Sequence, residues 1–162
     1  MNTAFVTVSK DELDGAVAHG KELHRLAIKA GRPDRHGLKN ASEDQHVVGA
    51  IGEMVVAKFL GVAWEPTQDF NKRKQGDVTN DGRYEVRCSR RRNGRLVVRD
   101  NDHDDRPYIL VTHHHGYTFA IRGWMYGRDA KKFPKVEMSP GREPQHCVLQ
   151  SELNPAEGIK EF

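Results

Sequence analysis

The chain is poor in cysteine, in apolar residues and in long hydrophobic runs. Its 162 residues include two cysteines, Cys88 and Cys147, which are too few for a disulfide framework and indicate reduced thiols. No apolar run approaches the length of a membrane span, so we expect no membrane partner. The N-terminus has neither the basic start nor the apolar stretch of a signal peptide, which favours a cytoplasmic protein. Hydrophobic residues make up 36%, below the usual globular share, so we expect a lean core inside a highly charged surface.

The length and the order of the patterns predict one domain of mixed class. Ser9 and Glu12 form a capping box ahead of a helix over about 10–30, and apolar side chains fall all round a second helix over about 45–60. Strands follow the helices, which indicates an α/β (mixed α+β) domain whose central mixed β-sheet of about four to six strands is flanked by helices. The predicted parts of the single domain, residues 1–162, are an N-terminal helix and loop (1–44), a core (45–127) and a mostly irregular C-terminal extension (128–162).

Alternating and continuous apolar runs predict the individual strands. They fall in the segments 62–65, 76–79, 83–88, 95–99, 108–112, 117–121 and 147–149. We expect a short helix within residues 123–133.

The most informative of these strands flank the Asn-Asp-Gly sequence at residues 80–82, a strong hairpin-turn signal. With these three residues as the loop, Asp77 lies opposite Glu85, and Arg87 shares the face of Glu85 because side chains alternate along a strand. A two-residue loop would shift the pairing by one position and remove this direct match. Carboxylates directly opposite each other repel in a sheet, and a divalent metal would relieve that repulsion.

Glu53 is the only acid in the middle of the second predicted helix, and its neighbours on the helix surface are mostly small. A lone acid on a buried helix is unfavourable unless it is paired or binds a cation. A salt bridge to Lys58 or to an arginine of the sheet is the structural alternative, and we favour a functional role. We expect Glu53 to point toward the sheet face that carries Asp77 and Glu85.

Cationic residues cluster on both sides of the predicted hairpin, although the net charge is only +3. Clustered cations beside a carboxylate patch suit a protein that binds a phosphate backbone, and a solvated basic surface is the alternative. The predicted nucleic-acid-binding residues are Lys72, Arg73, Lys74, Arg90, Arg91 and Arg92.

Five short motifs occur in a fixed order within residues 45–127. They are GAIGEMVVAKFLG, GDV, YEVR, YILV and IRGWMYG. In this order they resemble the PD-(D/E)XK nuclease superfamily, which has the restriction-endonuclease-like fold, and within it the chain is similar to small uncharacterised members from phages. In that pattern Glu53 is the helix acid, Asp77 the first sheet acid and Glu85 the second, while Arg87 stands where the family usually has lysine.

The resemblance implies a metal-dependent phosphodiester hydrolase that is encoded by a phage and acts on DNA in the host cytoplasm. It implies that Mg²⁺ or Mn²⁺ binds Asp77, Glu85 and the Val86 carbonyl, with Glu53 holding a metal-bound water or a second ion. Arg87 cannot act as a general base, because its guanidinium stays protonated. As a fixed cation it would bind a phosphate oxygen or stabilise the transition state.

Two other functions stay open at this point. A catalytically inactive relative would bind nucleic acid or a host protein as an accessory or inhibitory factor, and a homodimer is compatible with either function. His113 and His115 share one face of a predicted strand and could bind zinc with Cys88 or His46, although a polar strand end is the default interpretation.

Overall fold

The computed structural model of the chain describes residues 2–30, 43–64 and 84–162. Helices and strands within these ranges form a mixed α/β fold. In chain order the elements are β1 (Ala4–Thr7), α1 (Lys10–Lys29), α2 (Glu43–Leu60), β2 (Glu85–Ser89), β3 (Leu96–Val98), β4 (Pro107–His115), β5 (Thr118–Tyr126), β6 (Lys135–Val136) and β7 (Gln145–Val148), with short helices at Gly127–Ala130, Gln150–Glu152 and Ala156–Glu161.

Both predicted long helices are confirmed. The capping box of α1 is formed, since the Ser9 hydroxyl accepts the Glu12 N–H at 3.0 Å and the Ser9 N–H donates to the Glu12 carboxylate at 2.8 Å. The middle of α2 is buried on all sides, which agrees with its uniformly apolar sequence. The two helices pack against each other, and α2 also packs against β2.

The larger sheet of the described residues has four strands in the order β1-β5-β4-β2, which confirms the predicted mixed central sheet. The β2–β4 pair is parallel, and the other pairs are antiparallel. In the parallel register Glu85 lies opposite Tyr108, and Arg87 lies opposite Leu110. The first strand of the predicted hairpin, 76–79, lies outside the described residues.

Strand β4 is buried on both of its faces and separates two hydrophobic clusters. Ile109 and Val111 belong to the cluster that contains residues of α1 and α2. Tyr108 and Leu110 belong to a second cluster, which β3 and β7 complete. Strands β3, β7 and β6 form a three-stranded antiparallel sheet. The larger sheet therefore lies between a layer of helices and a second, smaller sheet.

Three short segments before residue 131 differ from the sequence-based expectation. The predicted strand at 62–65 is wrong in its described part, because the Val62 N–H bonds back to the Ala57 carbonyl at 3.0 Å and Gly61 has a φ of 70°, which together cap α2. Strand β5 continues to Tyr126, so the helix expected within 123–133 is reduced to Gly127–Ala130. Strand β1 was not predicted, since four residues are too few for a clear alternation.

The C-terminal region is more regular than expected. The strand predicted near 147–149 is confirmed as β7, and β6 and two 3-10 helices accompany it. Val148, Leu153 and Ile159 are buried in the two clusters. Residues 128–162 thus contribute to the core and do not form a loose extension. None of the helices within the described ranges combines the length and the apolar character that a membrane crossing requires.

Gly20 brings the backbone of α1 against that of α2, since a Cβ at this position would lie 2.4 Å from Val47 Cα. We therefore expect Gly20→Ala to lower the free energy of unfolding by about 1–3 kcal/mol through overpacking. Gly15 lies on the same helix with open space around it, so Gly15→Ala should raise the stability by up to about 1 kcal/mol. Urea unfolding followed by circular dichroism measures both effects. Equal stabilisation by the two substitutions would contradict the close helix contact.

Candidate functional site

Strand β2 presents two chemically different faces. A Cβ added at Gly52 of α2 would lie 2.7 Å from Cys88 Cβ and 3.1 Å from Val86 Cγ1, so α2 contacts this face closely. Because side chains alternate along a strand, Glu85 and Arg87 lie on the opposite face, toward the second sheet. The glycine before Glu53 in the helix motif is therefore required by packing between α2 and β2.

Glu85 and Arg87 each form an ion pair with the segment between β3 and β4. Arg106 Nη1 donates to Glu85 Oε1 at 2.6 Å, and Arg87 Nη2 donates to Asp102 Oδ2 at 2.9 Å. The Arg87 guanidinium also lies over the ring of Tyr108, 5.0 Å from its centroid. The side chains of Arg87 and Asp102 are only 24% and 17% exposed, so solvent screens this pair less than a surface pair.

Backbone donors hold this network in place. The Arg99 N–H donates to Asp102 Oδ2 at 2.8 Å, and the His103 N–H donates to the Tyr108 hydroxyl at 2.9 Å. Burial raises the pKa of Tyr108, and the carboxylates of Asp102 and Glu85 raise it further, so this hydroxyl stays protonated. Arg87 is thus oriented by a carboxylate, an aromatic ring and the turn that precedes β4.

A cleft of about 630 Å³ opens on the Arg87 side of β2, between β2, β3 and residues 137–145, and we call it the arginine cleft. Alternation along β3 places Val97 in the cleft while Leu96 and Val98 are buried in the core. Among the described residues, the arginines that line the cleft are Arg87, Arg91, Arg95, Arg99 and Arg142, and the acidic residues that line it are Glu137 and Glu143.

The three arginines that follow β2 contact three different parts of the protein. Arg91 lines the arginine cleft. Arg90 donates to Asp44 at 2.6 Å, and this hydrogen bond lowers the pKa of Asp44. Arg92 Nε donates to the His114 carbonyl at 2.8 Å. Only Arg91 of the three lines the cleft, and phosphate binding by the predicted group 90–92 stays a prediction.

The turn that carries Arg91 is braced by hydrogen bonds. The Ser89 hydroxyl accepts the Arg91 N–H at 3.1 Å, and Gln150 Nε2 donates to the carbonyls of Arg92 at 2.7 Å and of Gly94 at 2.9 Å. These contacts tie the turn to the C-terminal region. The position of Arg91 at the cleft is thus set by the fold and not by the local sequence alone.

Glu53 is buried, with 7% of its surface exposed, as its sequence context indicates. Lys58, one of the two partners considered for it, instead donates to Glu12 at 2.7 Å. Glu53 belongs to the helix that packs on the Val86 and Cys88 face of β2, whereas Glu85 lies on the other face. Convergence of Glu53 with Asp77 and Glu85 stays a prediction, because Asp77 lies outside the described residues, as do Lys72, Arg73 and Lys74.

The acidic and histidine residues of the described ranges do not supply a metal site. No group of three His, Cys, Asp or Glu side chains in these ranges could hold an ion. One carboxylate oxygen of Glu85 accepts a hydrogen bond from Arg106. The side chain of Val86 is buried in the core that faces the helices. The predicted Mg²⁺ or Mn²⁺ site therefore depends on Asp77.

The zinc alternative also lacks support in the described residues. The ring of His113 makes a 2.9 Å contact with the Gly116 carbonyl, and that of His46 makes a 3.2 Å contact with His24. Neither pattern assembles the three or four ligands that zinc requires.

Sequence reasoning missed five residues of this region as site residues: Arg95, Arg99, Asp102, Arg106 and Arg142. Arg95 and Arg99 could have been found, since they flank Val97 at alternate positions while Leu96 and Val98 mark the core face. No local pattern marks the other three, because each reaches the site through tertiary contacts.

The chain matches no protein-family model, no curated protein and no solved structure. The resemblance to the nuclease superfamily thus stays a prediction from short motifs.

Cys88 provides a chemical test of which face of β2 the helix covers. Burial raises the pKa of Cys88 to about 12. The thiolate is the species that reacts with iodoacetamide, so at pH 8 we expect labelling of Cys88 to be much slower in the folded protein than in urea. The labelling rate should rise as the pH approaches the raised pKa. Mass spectrometry of the peptides follows Cys88 and Cys147 separately, and rapid labelling of folded Cys88 would show that α2 does not cover this face.

Proposed function

We propose that the protein binds nucleic acid through the arginine cleft, with DNA as the expected partner. The observation that carries this proposal is the convergence of five arginines on one cleft, where they outnumber the two glutamates that line it among the described residues. Guanidinium groups keep their charge throughout the physiological pH range and bind phosphate oxygens with paired donors. Neutralising phosphates releases counterions, which favours binding without regard to base sequence.

The surroundings of the arginines support two roles within the cleft. Arg87 is oriented by Asp102 and Tyr108, so little conformational freedom is lost when it meets an anion. Arg91 and Arg95 are exposed, which suits them to first contact with a phosphate backbone. Because Asp102 already neutralises part of the charge of Arg87, we expect the exposed arginines to contribute most of the salt-dependent binding.

The Arg91→Ala/Arg95→Ala protein tests this proposal. We expect weaker binding to DNA of every sequence and a salt dependence that is about two units shallower, since each lost phosphate contact removes about one unit from the slope of log affinity against log salt. Fluorescence anisotropy with a labelled oligonucleotide over a series of salt concentrations measures the slope.

Lys21→Ala/Lys29→Ala is the matched control, because both lysines are exposed on α1 and removal of the pair changes the net charge equally. Binding that falls equally in the two double variants would mean that only the total charge matters. An unchanged slope in the Arg91→Ala/Arg95→Ala protein would remove the support for the cleft.

Metal-dependent hydrolysis of phosphodiesters is the second candidate function. The observation that favours it is the position of Glu85 two residues before Arg87 on the same face of β2, beside the cleft. The described residues do not complete a ligand set for Mg²⁺ or Mn²⁺, and a metal at Glu85 would compete with Arg106. An inactive protein that binds nucleic acid is the simpler alternative.

Supercoiled plasmid incubated with Mg²⁺ or Mn²⁺ distinguishes the two candidates. An enzyme should produce nicked or linear plasmid, and Glu85→Gln should abolish this product while leaving metal-free DNA binding equal or tighter, because a negative charge is removed. Glu161→Gln, an exposed carboxylate at the C-terminal end, should keep full activity. Binding without cleavage in the unsubstituted protein would reject hydrolysis and leave the binding proposal intact.

A further inference from the structure

The arginine cleft has two walls of different chemistry. The wall formed by β2, β3 and the turn between them presents Arg87, Arg91, Arg95 and Arg99. The wall formed by residues 137–145 is mixed: it contains two acidic residues, Glu137 and Glu143, together with Arg142 and Gln145. Phosphates are attracted to the first wall, whereas the two carboxylates of the second wall repel them.

We propose that the cleft takes a single strand of nucleic acid, with the backbone along the arginine wall and the bases facing the mixed wall. This inference rests on the proposed function and specifies the form of nucleic acid that the cleft accepts. Carboxylates accept hydrogen bonds from the exocyclic amino groups of bases, as in contacts between glutamate and cytosine N4. Arg142 and Gln145 also carry N–H groups, and Gln145 Nε2 donates one of its hydrogens to the Glu143 carbonyl at 3.3 Å.

A duplex does not fit this division of charge. Its two strands place phosphates on both sides of each groove, so the second strand would bring phosphates against Glu137 and Glu143. Its bases are also paired, whereas the bases of a single strand can turn their Watson–Crick edges toward a protein. The base faces of such a strand would meet apolar groups, since Val97 and the exposed Met138 line the cleft.

The cleft volume agrees with this ligand. About 630 Å³ falls within the range of sites that enclose small molecules, which suits a short stretch of nucleotides and not the convex surface of a duplex. A basic surface that acted by charge alone would favour the duplex, because its phosphate charges are more closely spaced. A preference for a single strand therefore follows from the shape of the cleft and the arrangement of its charges, and not from its positive charge alone.

Fluorescence anisotropy at neutral pH without divalent metal tests the inference on three labelled ligands: oligodeoxycytidine, oligothymidine and a hairpin duplex with the same number of nucleotides. We expect both single strands to bind more tightly than the hairpin, and oligodeoxycytidine to bind roughly tenfold more tightly than oligothymidine, which lacks an exocyclic amino group. Hairpin binding that equals or exceeds that of both single strands would overturn the inference and leave the proposed function standing. If none of the three binds, the proposed function fails as well.

Glu137→Gln/Glu143→Gln separates base recognition from charge. We expect the preference for oligodeoxycytidine over oligothymidine to fall to about twofold or less, because an amide offers a neutral acceptor in place of a carboxylate. The control Glu157→Gln/Glu161→Gln makes the same change of net charge at exposed positions away from the cleft and should retain the preference. Equal tightening of all three ligands by the Glu137→Gln/Glu143→Gln change would mean that the carboxylates only repel phosphates, and the assigned orientation of the strand would be rejected.

Discussion

The burial of β4 on both faces is the constraint on which the rest of the structure depends. A strand buried on both faces needs an apolar layer on each, and here the helices α1 and α2 supply one while the small sheet supplies the other. Its parallel register with β2 then decides which side chains of β2 face which layer. Val86 and Cys88 face α2, and Glu85 and Arg87 face the second sheet. The charged face of β2 and the arginine cleft therefore follow from the layer order.

Clustering of arginines in the cleft carries an electrostatic penalty, which the fold offsets locally. Like charges held close together in a partly buried site repel each other more than they would in water. The turn before β4 supplies the carboxylate of Asp102, which pairs with Arg87. The same turn supplies Arg106, which pairs with Glu85 of β2. Arg91 and Arg95 reach solvent and are less constrained. The cleft thus combines an arginine that is oriented by an ion pair with arginines that are exposed to solvent. This combination supports an anion-binding role.

The elements that could be predicted are those with strong local signals. The capping box at Ser9 and Glu12 and the apolar periodicity behind it locate α1, and the continuous apolar run of α2 locates a buried helix. The continuous run near Tyr108 locates a buried strand. Strand β1 was missed because four residues carry too little periodicity, and the strand expected after Gly61 is replaced by a helix cap whose hydrogen bonds are not visible in a hydrophobicity pattern.

The sequence by itself determined the mixed class of the fold, the burial of Glu53 and the concentration of arginines after β2, because composition and periodicity act over neighbouring residues. Only the tertiary structure decided which charges meet. Arg90 is drawn to Asp44, Arg87 to Asp102 and Glu85 to Arg106, across separations of 46, 15 and 21 residues. It likewise brought Arg142 to the same cleft as Arg87. Ion pairs form between any opposite charges that the backbone brings close, so their partners are fixed by the packing of the layers and not by spacing along the chain.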